Sequence, residues 1–124
     1  MPKIESYREL KAWQLGIHLA KDCYQLTKAF PKEDGFGLSS EIRRTSAAMP
    51  AKIAEGYGRD TTGEFVQFLR TAQGSLKELE THLILAREIG VCAREHCQTL
   101  LDQADEIGQM LRTLILTLQS RQKV

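Results

Sequence analysis

Pro50 stands in the middle of a helical apolar pattern, and that placement limits what the chain can fold into. A proline inside a helix removes one hydrogen bond and crowds the carbonyl four residues back, here that of Ser46. The apolar positions continue past it at helical spacing, through Ile42, Met49 and Ile53. The pattern therefore predicts one kinked helix rather than two. The stretch from Ser46 to Arg59, Ser-Ala-Ala-Met-Pro-Ala-Lys-Ile-Ala-Glu-Gly-Tyr-Gly-Arg, runs out at Gly56 and Gly58. It discloses architecture and no reaction.

The same periodicity predicts three more helices. Helix 1 is expected from about Tyr7 to Ala29, with Ser6 and Glu9 as a capping box. Its first apolar stripe is Leu10, Trp13, Ile17, Ala20, Tyr24 and Thr27, assigned to the core. A second stripe, Ala12, Leu15, Leu19, Cys23 and Leu26, lies on roughly the opposite face. A helix apolar on two sides is normally buried on two sides. The second stripe is therefore the candidate oligomer interface. Phe30-Pro31 ends helix 1, and Lys32 to Gly37 read as a loop.

Helix 2 is expected from about Leu38 to Glu55, with Leu38, Ile42, Thr45, Met49 and Ile53 inward and Gly56 as the left-handed stop. Helix 3 follows Gly58-Arg59-Asp60, with Thr61 and Glu64 as a second capping box. Its core stripe is Phe65, Leu69, Ala72, Leu76, Leu79 and Leu83, and Gly74 in its middle suggests close approach by a neighbour. Gly90 closes it. Helix 4 is expected from about Ala93 to Gln119, with Leu100, Leu101, Ala104, Ile107, Leu111, Leu114, Ile115 and Leu118 within one arc. Nothing reads as a strand or a linker. The expected fold is all-α, an antiparallel up-down-up-down four-helix bundle with helix 2 kinked at Pro50, one domain over residues 1–124.

Composition matters here for what it excludes. A net charge of +1 over 124 residues gives no overall bias toward nucleic acid or membrane. No apolar run is long enough to span a bilayer, and the N-terminus lacks the apolar region of a signal peptide. Cys23, Cys92 and Cys97 are odd in number and irregularly spaced, which argues against a disulfide framework and for the cytoplasm.

A helix bundle invites a di-iron site, which needs Glu-x-x-His pairs pointing inward. Leu15, Leu79 and Ala93 stand three residues before His18, His82 and His96, so no such pair exists. Cys92, His96 and Cys97 offer three zinc ligands without an evident fourth. Glu78 and His82, one helical turn apart, read as a surface pair without an accompanying nucleophile. Gly56-Tyr-Gly58 is too short for a dinucleotide fingerprint and follows no strand. No catalytic residue, cofactor site or metal site is expected, and the chain is read as not an enzyme.

Charge is uneven along the chain. Residues 43–77 hold Arg43, Arg44, Lys52, Arg59, Arg70 and Lys77 against Glu55, Asp60 and Glu64, a net of +3. Residues 78–106 carry a net of −5. The basic span is a candidate phosphate-binding surface. The plainer alternative is a solvated face with local pairs such as Glu55 with Arg59.

Several motifs carry a family resemblance. They are Tyr7-Arg-Glu-Leu-Lys-Ala-Trp13, Gly37-Leu38, Ile42-Arg-Arg44, Pro50-x-x-Ile-Ala-Glu-Gly-Tyr-Gly-Arg59 and Phe68-Leu-x-x-Ala-x-Gly-Ser-x-x-Glu-Leu-Glu80. Together they resemble the four-helix-bundle proteins encoded in intervening sequences of bacterial 23S ribosomal RNA genes. That family includes the accessory variability determinant of diversity-generating retroelements. The resemblance implies a left-handed antiparallel bundle assembled as a homopentameric ring. It also implies nucleic acid and a reverse transcriptase as possible partners. Lys52 departs from the pattern, where the family usually has asparagine, and must serve the kink differently or point outward. Two functions follow. One is a non-enzymatic oligomeric nucleic-acid binder using the six cations as phosphate contacts. The other is a protein-interaction scaffold.

Overall fold

The computed structural model describes residues 6–122, apart from the side chains of 33–36 and 122. Four α-helices make up the fold, and no strand occurs among the described residues. They are α1 (Lys11–Thr27), α2 (Lys32–Tyr57), α3 (Thr62–Glu88) and α4 (Arg94–Gln122). Each packs against the helix before it and the helix after it, and α4 returns to α1. This is consistent with a four-helix bundle. No described helix is long and apolar enough to cross a membrane.

Helix 1 differs most from expectation. Tyr7–Glu9 form a separate 3-10 turn in which the Ser6 hydroxyl accepts from the Arg8 amide, so Ser6 caps that turn and not α1. Leu10 then adopts extended backbone and α1 begins at Lys11. The two stripes also differ from expectation, although Leu10 and Thr27 of the first are buried as read. Leu19 and Cys23 are fully buried and Ala12 is nearly so, whereas Ile17 and Tyr24 are exposed. The proposed oligomer stripe is thus mainly core, with only Leu15 and Leu26 half-buried. The reason is Gly16. A Cβ there would lie 2.9 Å from Met49 Cε and 3.2 Å from Pro50 Cβ, so α1 turns its small residues to α2.

Helix α2 starts at Lys32, directly after Pro31, and absorbs the expected loop. Glycine in a helix costs about 1 kcal/mol relative to alanine, too little for Gly35 and Gly37 to stop it. Pro50 lies inside α2, which continues through it as one helix. Gly56 is also helical, and the cap is Gly58 at φ −78. Gly56 is therefore no left-handed stop. It is needed for a different reason: its missing Cβ would sit 2.5 Å from Phe68 Cβ on α3. Gly74, by contrast, has nothing within 4 Å, so no neighbour approaches there.

Helix α3 is capped as expected. The Thr61 hydroxyl accepts from the Glu64 amide at 3.1 Å and donates to the Glu64 carboxylate at 3.0 Å. Leu69, Ala72, Leu76, Leu79 and Leu83 are buried, as the periodicity predicts. At the far end Gly90 takes φ +81. The Val91 amide donates to Ala86 O and the Gly90 amide to Arg87 O, the paired bonds of a Schellman stop. Helix α4 buries Leu100, Ala104, Ile107, Leu111 and Ile115.

The cysteines overturn the expectation of an unpaired set. Cys92 and Cys97 form a disulfide across the turn that joins α3 to α4, where their Cα atoms are 6.4 Å apart. Cys23 remains free and buried. Burial, aided by the nearby Asp22 charge, pushes its thiol up to about 12, which keeps it protonated and inert.

Candidate nucleic-acid interface

The six cations of the basic span fall into separate places. On α2, Arg44 bonds Glu41 at 2.7 Å and Glu78 of α3 at 3.4 Å. Its hydrogen bond holds the Glu41 carboxyl below its ordinary value and raises the Arg44 guanidinium. His82 joins this group at 3.7 Å from Glu41. Glu78 and His82 thus each turn to α2, and their expected i,i+4 pair is not the contact made.

Lys52 and Arg59 share Glu55, at 3.4 and 3.1 Å, which includes the expected Glu55–Arg59 pair. Both cations also lie over the Phe68 ring, Arg59 at 4.7 Å and Lys52 at 5.9 Å. Lys52 therefore points outward, away from Pro50. Lys77 pairs with Glu80 at 3.1 Å. Exposed pairs of this kind contribute only about 0–1 kcal/mol. Their carboxylates nonetheless stay beside any approaching phosphate and repel it.

Arg70 makes no ion pair among the described residues and lies with Arg112 along a shallow groove between α3 and α4. Arg43 differs again. Its Nε donates to the Thr27 hydroxyl at 2.8 Å, and its guanidinium stacks 4.9 Å over the Tyr24 ring. No described carboxylate pairs with it.

Arg43 and Arg44 line a concavity of about 630 Å³ where α1 turns into α2. Lys28 and Lys32 line it as well, with Ser39 and Ser40 among its hydroxyls. No acidic residue lines it among the described residues. Neither lysine makes a described ion pair. Lys28 and Lys32 lie outside the span whose charge stood out, yet they bracket Phe30-Pro31, and that spacing was the available signal. The concavity is built by a helix reversal, so it brings together residues from 24 to 44. Among the described residues no group of three or more His, Cys, Asp or Glu is placed to hold a metal ion.

The 23S rRNA-intervening sequence protein family model matches residues 8–113. The chain belongs to this family. A solved structure from Bacteroides thetaiotaomicron, described as a protein with unknown function from the S23 ribosomal protein family, has a similar fold. It superposes with a TM-score of 0.78 at 23% identity, covering 84% of this chain and 97% of the other. No curated protein matches. Membership in the 23S rRNA-intervening sequence protein family thus accounts for the motifs from Arg8 to Glu80.

Proposed function

We propose that this chain is a non-enzymatic, oligomeric protein that binds nucleic-acid phosphates at the α1–α2 turn. One observation carries this: Lys28, Lys32 and Arg43 share a concavity without a described carboxylate. Arg44 adds a fourth cation, partly engaged by Glu41 and Glu78. Lys52, Arg59 and Lys77 contribute less, because Glu55 and Glu80 stand beside them.

The expected result is salt-dependent binding of generic RNA or DNA by fluorescence anisotropy. Lys28→Glu with Lys32→Glu should weaken it at least about tenfold and reduce the salt slope by about two. Lys52→Glu should change it little. A parent protein that binds nothing at low salt removes the proposal.

The finer architecture belongs to the same proposal. The helices alternate in direction, as the pairs Glu41–His82, Arg44–Glu78 and Gly56–Phe68 across α2 and α3 support. Pro50 bends α2, and residues 1–124 are one domain. The pentameric ring and a reverse-transcriptase partner rest on the resemblance alone. The cytoplasmic location expected from the sequence belongs to the same proposal, and the Cys92–Cys97 disulfide stands against it.

The scaffold reading has its own support. Leu85 and Ile89 lie one turn apart at the end of α3 and are 47% and 53% exposed, with Ile84 beside them. Clustered exposed aliphatics mark interaction surfaces. If this face joins copies of the chain, Leu85→Lys with Ile89→Lys lowers the mass read by light scattering and leaves helicity intact. An unchanged mass places the contact elsewhere.

A further inference from the structure

We infer that the concavity at the α1–α2 turn selects single-stranded nucleic acid, with Tyr24 as the platform for a base. This rests on the phosphate-binding proposal and adds which form of nucleic acid fits.

The Tyr24 ring is 42% exposed at the edge of the cationic concavity. Its setting is held by a short chain of contacts. The Thr27 hydroxyl donates to the Tyr24 carbonyl at 3.1 Å and accepts from Arg43 Nε at 2.8 Å. Arg43 in turn covers one face of the ring at 4.9 Å, so a base would stack on the other. A ring held by Arg43 on one side loses less freedom when a base stacks on the other. Arg43, Lys28 and Lys32 surround that position with charge, and Ser39 and Ser40 add hydroxyl donors.

A duplex keeps its bases stacked inside and offers a convex backbone, so Tyr24 would have no base face to meet. A single strand offers a base and its phosphates together. Stacking on an aromatic ring beside cations is the general device for such strands, and it tolerates any base. Phe68 shows the contrast: Lys52 and Arg59 lie over its ring, but Glu55 sits between them and opposes phosphate.

The test uses fluorescence anisotropy with labelled oligothymidylate of about 12 nucleotides and its duplex with oligoadenylate. The parent should prefer the single strand. Tyr24→Leu should weaken single-strand binding about tenfold and leave duplex binding within about twofold, and Tyr24→Phe should retain the parent's affinity. Circular dichroism checks that each variant stays helical. Equal affinity of the parent for both probes, or an unchanged single-strand affinity in Tyr24→Leu, overturns the inference and leaves phosphate binding standing. Absence of binding to either probe overturns both.

Discussion

Leu19→Glu is expected to unfold the chain rather than release a monomer from an assembly. Leu19 is fully buried on α1, one turn from Cys23, also fully buried. A carboxylate there would lose its water and find no described cation in its place, and an unpaired buried charge is among the costliest single changes. Circular dichroism should show most helical signal lost at ambient temperature. The milder Leu19→Ala should cost about 2–5 kcal/mol, or roughly 8–20 °C in melting temperature. Leu15→Glu provides the control, because Leu15 is only half-buried and can turn its carboxylate outward. A Leu19→Glu protein that melts like its parent would place this stripe outside the core.

Gly56→Ala is expected to destabilise the bundle, and Gly74→Ala to stabilise it. The two substitutions add the same methyl group to a helical glycine. At Gly56 that methyl meets Phe68 Cβ at 2.5 Å, Phe65 Cδ1 at 3.1 Å and Phe65 O at 3.3 Å. Phe68 Cβ and the Phe65 carbonyl cannot swing away, so α2 and α3 must separate. Overpacking of this kind costs about 1–3 kcal/mol, which is roughly 4–12 °C in melting temperature. At Gly74 the methyl meets nothing within 4 Å, and the lower backbone entropy of alanine contributes about 0.5–1 kcal/mol. Valine at Gly56 should be worse than alanine. Two thermal melts with the same sign would refute the packing role assigned to Gly56.

Helices α3 and α4 were legible because large aliphatics mark their buried faces at every turn, as Leu69, Leu76, Leu79 and Leu83 do. Helix α1 misled because its buried face is built from Ala12, Gly16, Leu19, Cys23 and Thr27. Glycine and alanine carry almost no hydrophobic signal, yet they allow the closest packing. The bulkier stripe with Trp13, Ile17 and Tyr24 therefore looked like the core. Gly56 shows the same limit. Its sequence setting resembles a helix stop, and only the position of Phe68 reveals the packing constraint. The candidate site was half legible. Arg43 and Arg44 stood out by charge, but Lys28 and Lys32 join them only once α1 reverses into α2. The carboxylates that occupy Lys52, Arg59 and Lys77 could be guessed at i,i+3 and i,i+4, whereas the Arg44–Glu78 contact crosses helices.

Gly16 and Gly56 bind the C-terminal half of α2 closely to both of its neighbours. Breathing motions that lift α1 alone leave α2 shielded by α3, and the reverse holds as well. The seam between α1 and α4 has no such glycine contact among the described residues; one hydrogen bond, from Gln103 Nε2 to the Asp22 carboxylate at 3.2 Å, crosses it, and concavities bounded by Leu26 and Leu100 and by Leu10 and Met110 interrupt it. Local opening is expected to begin along that seam. The backbone amides around Ser46 and Ile53 exchange with solvent only when the whole bundle comes apart.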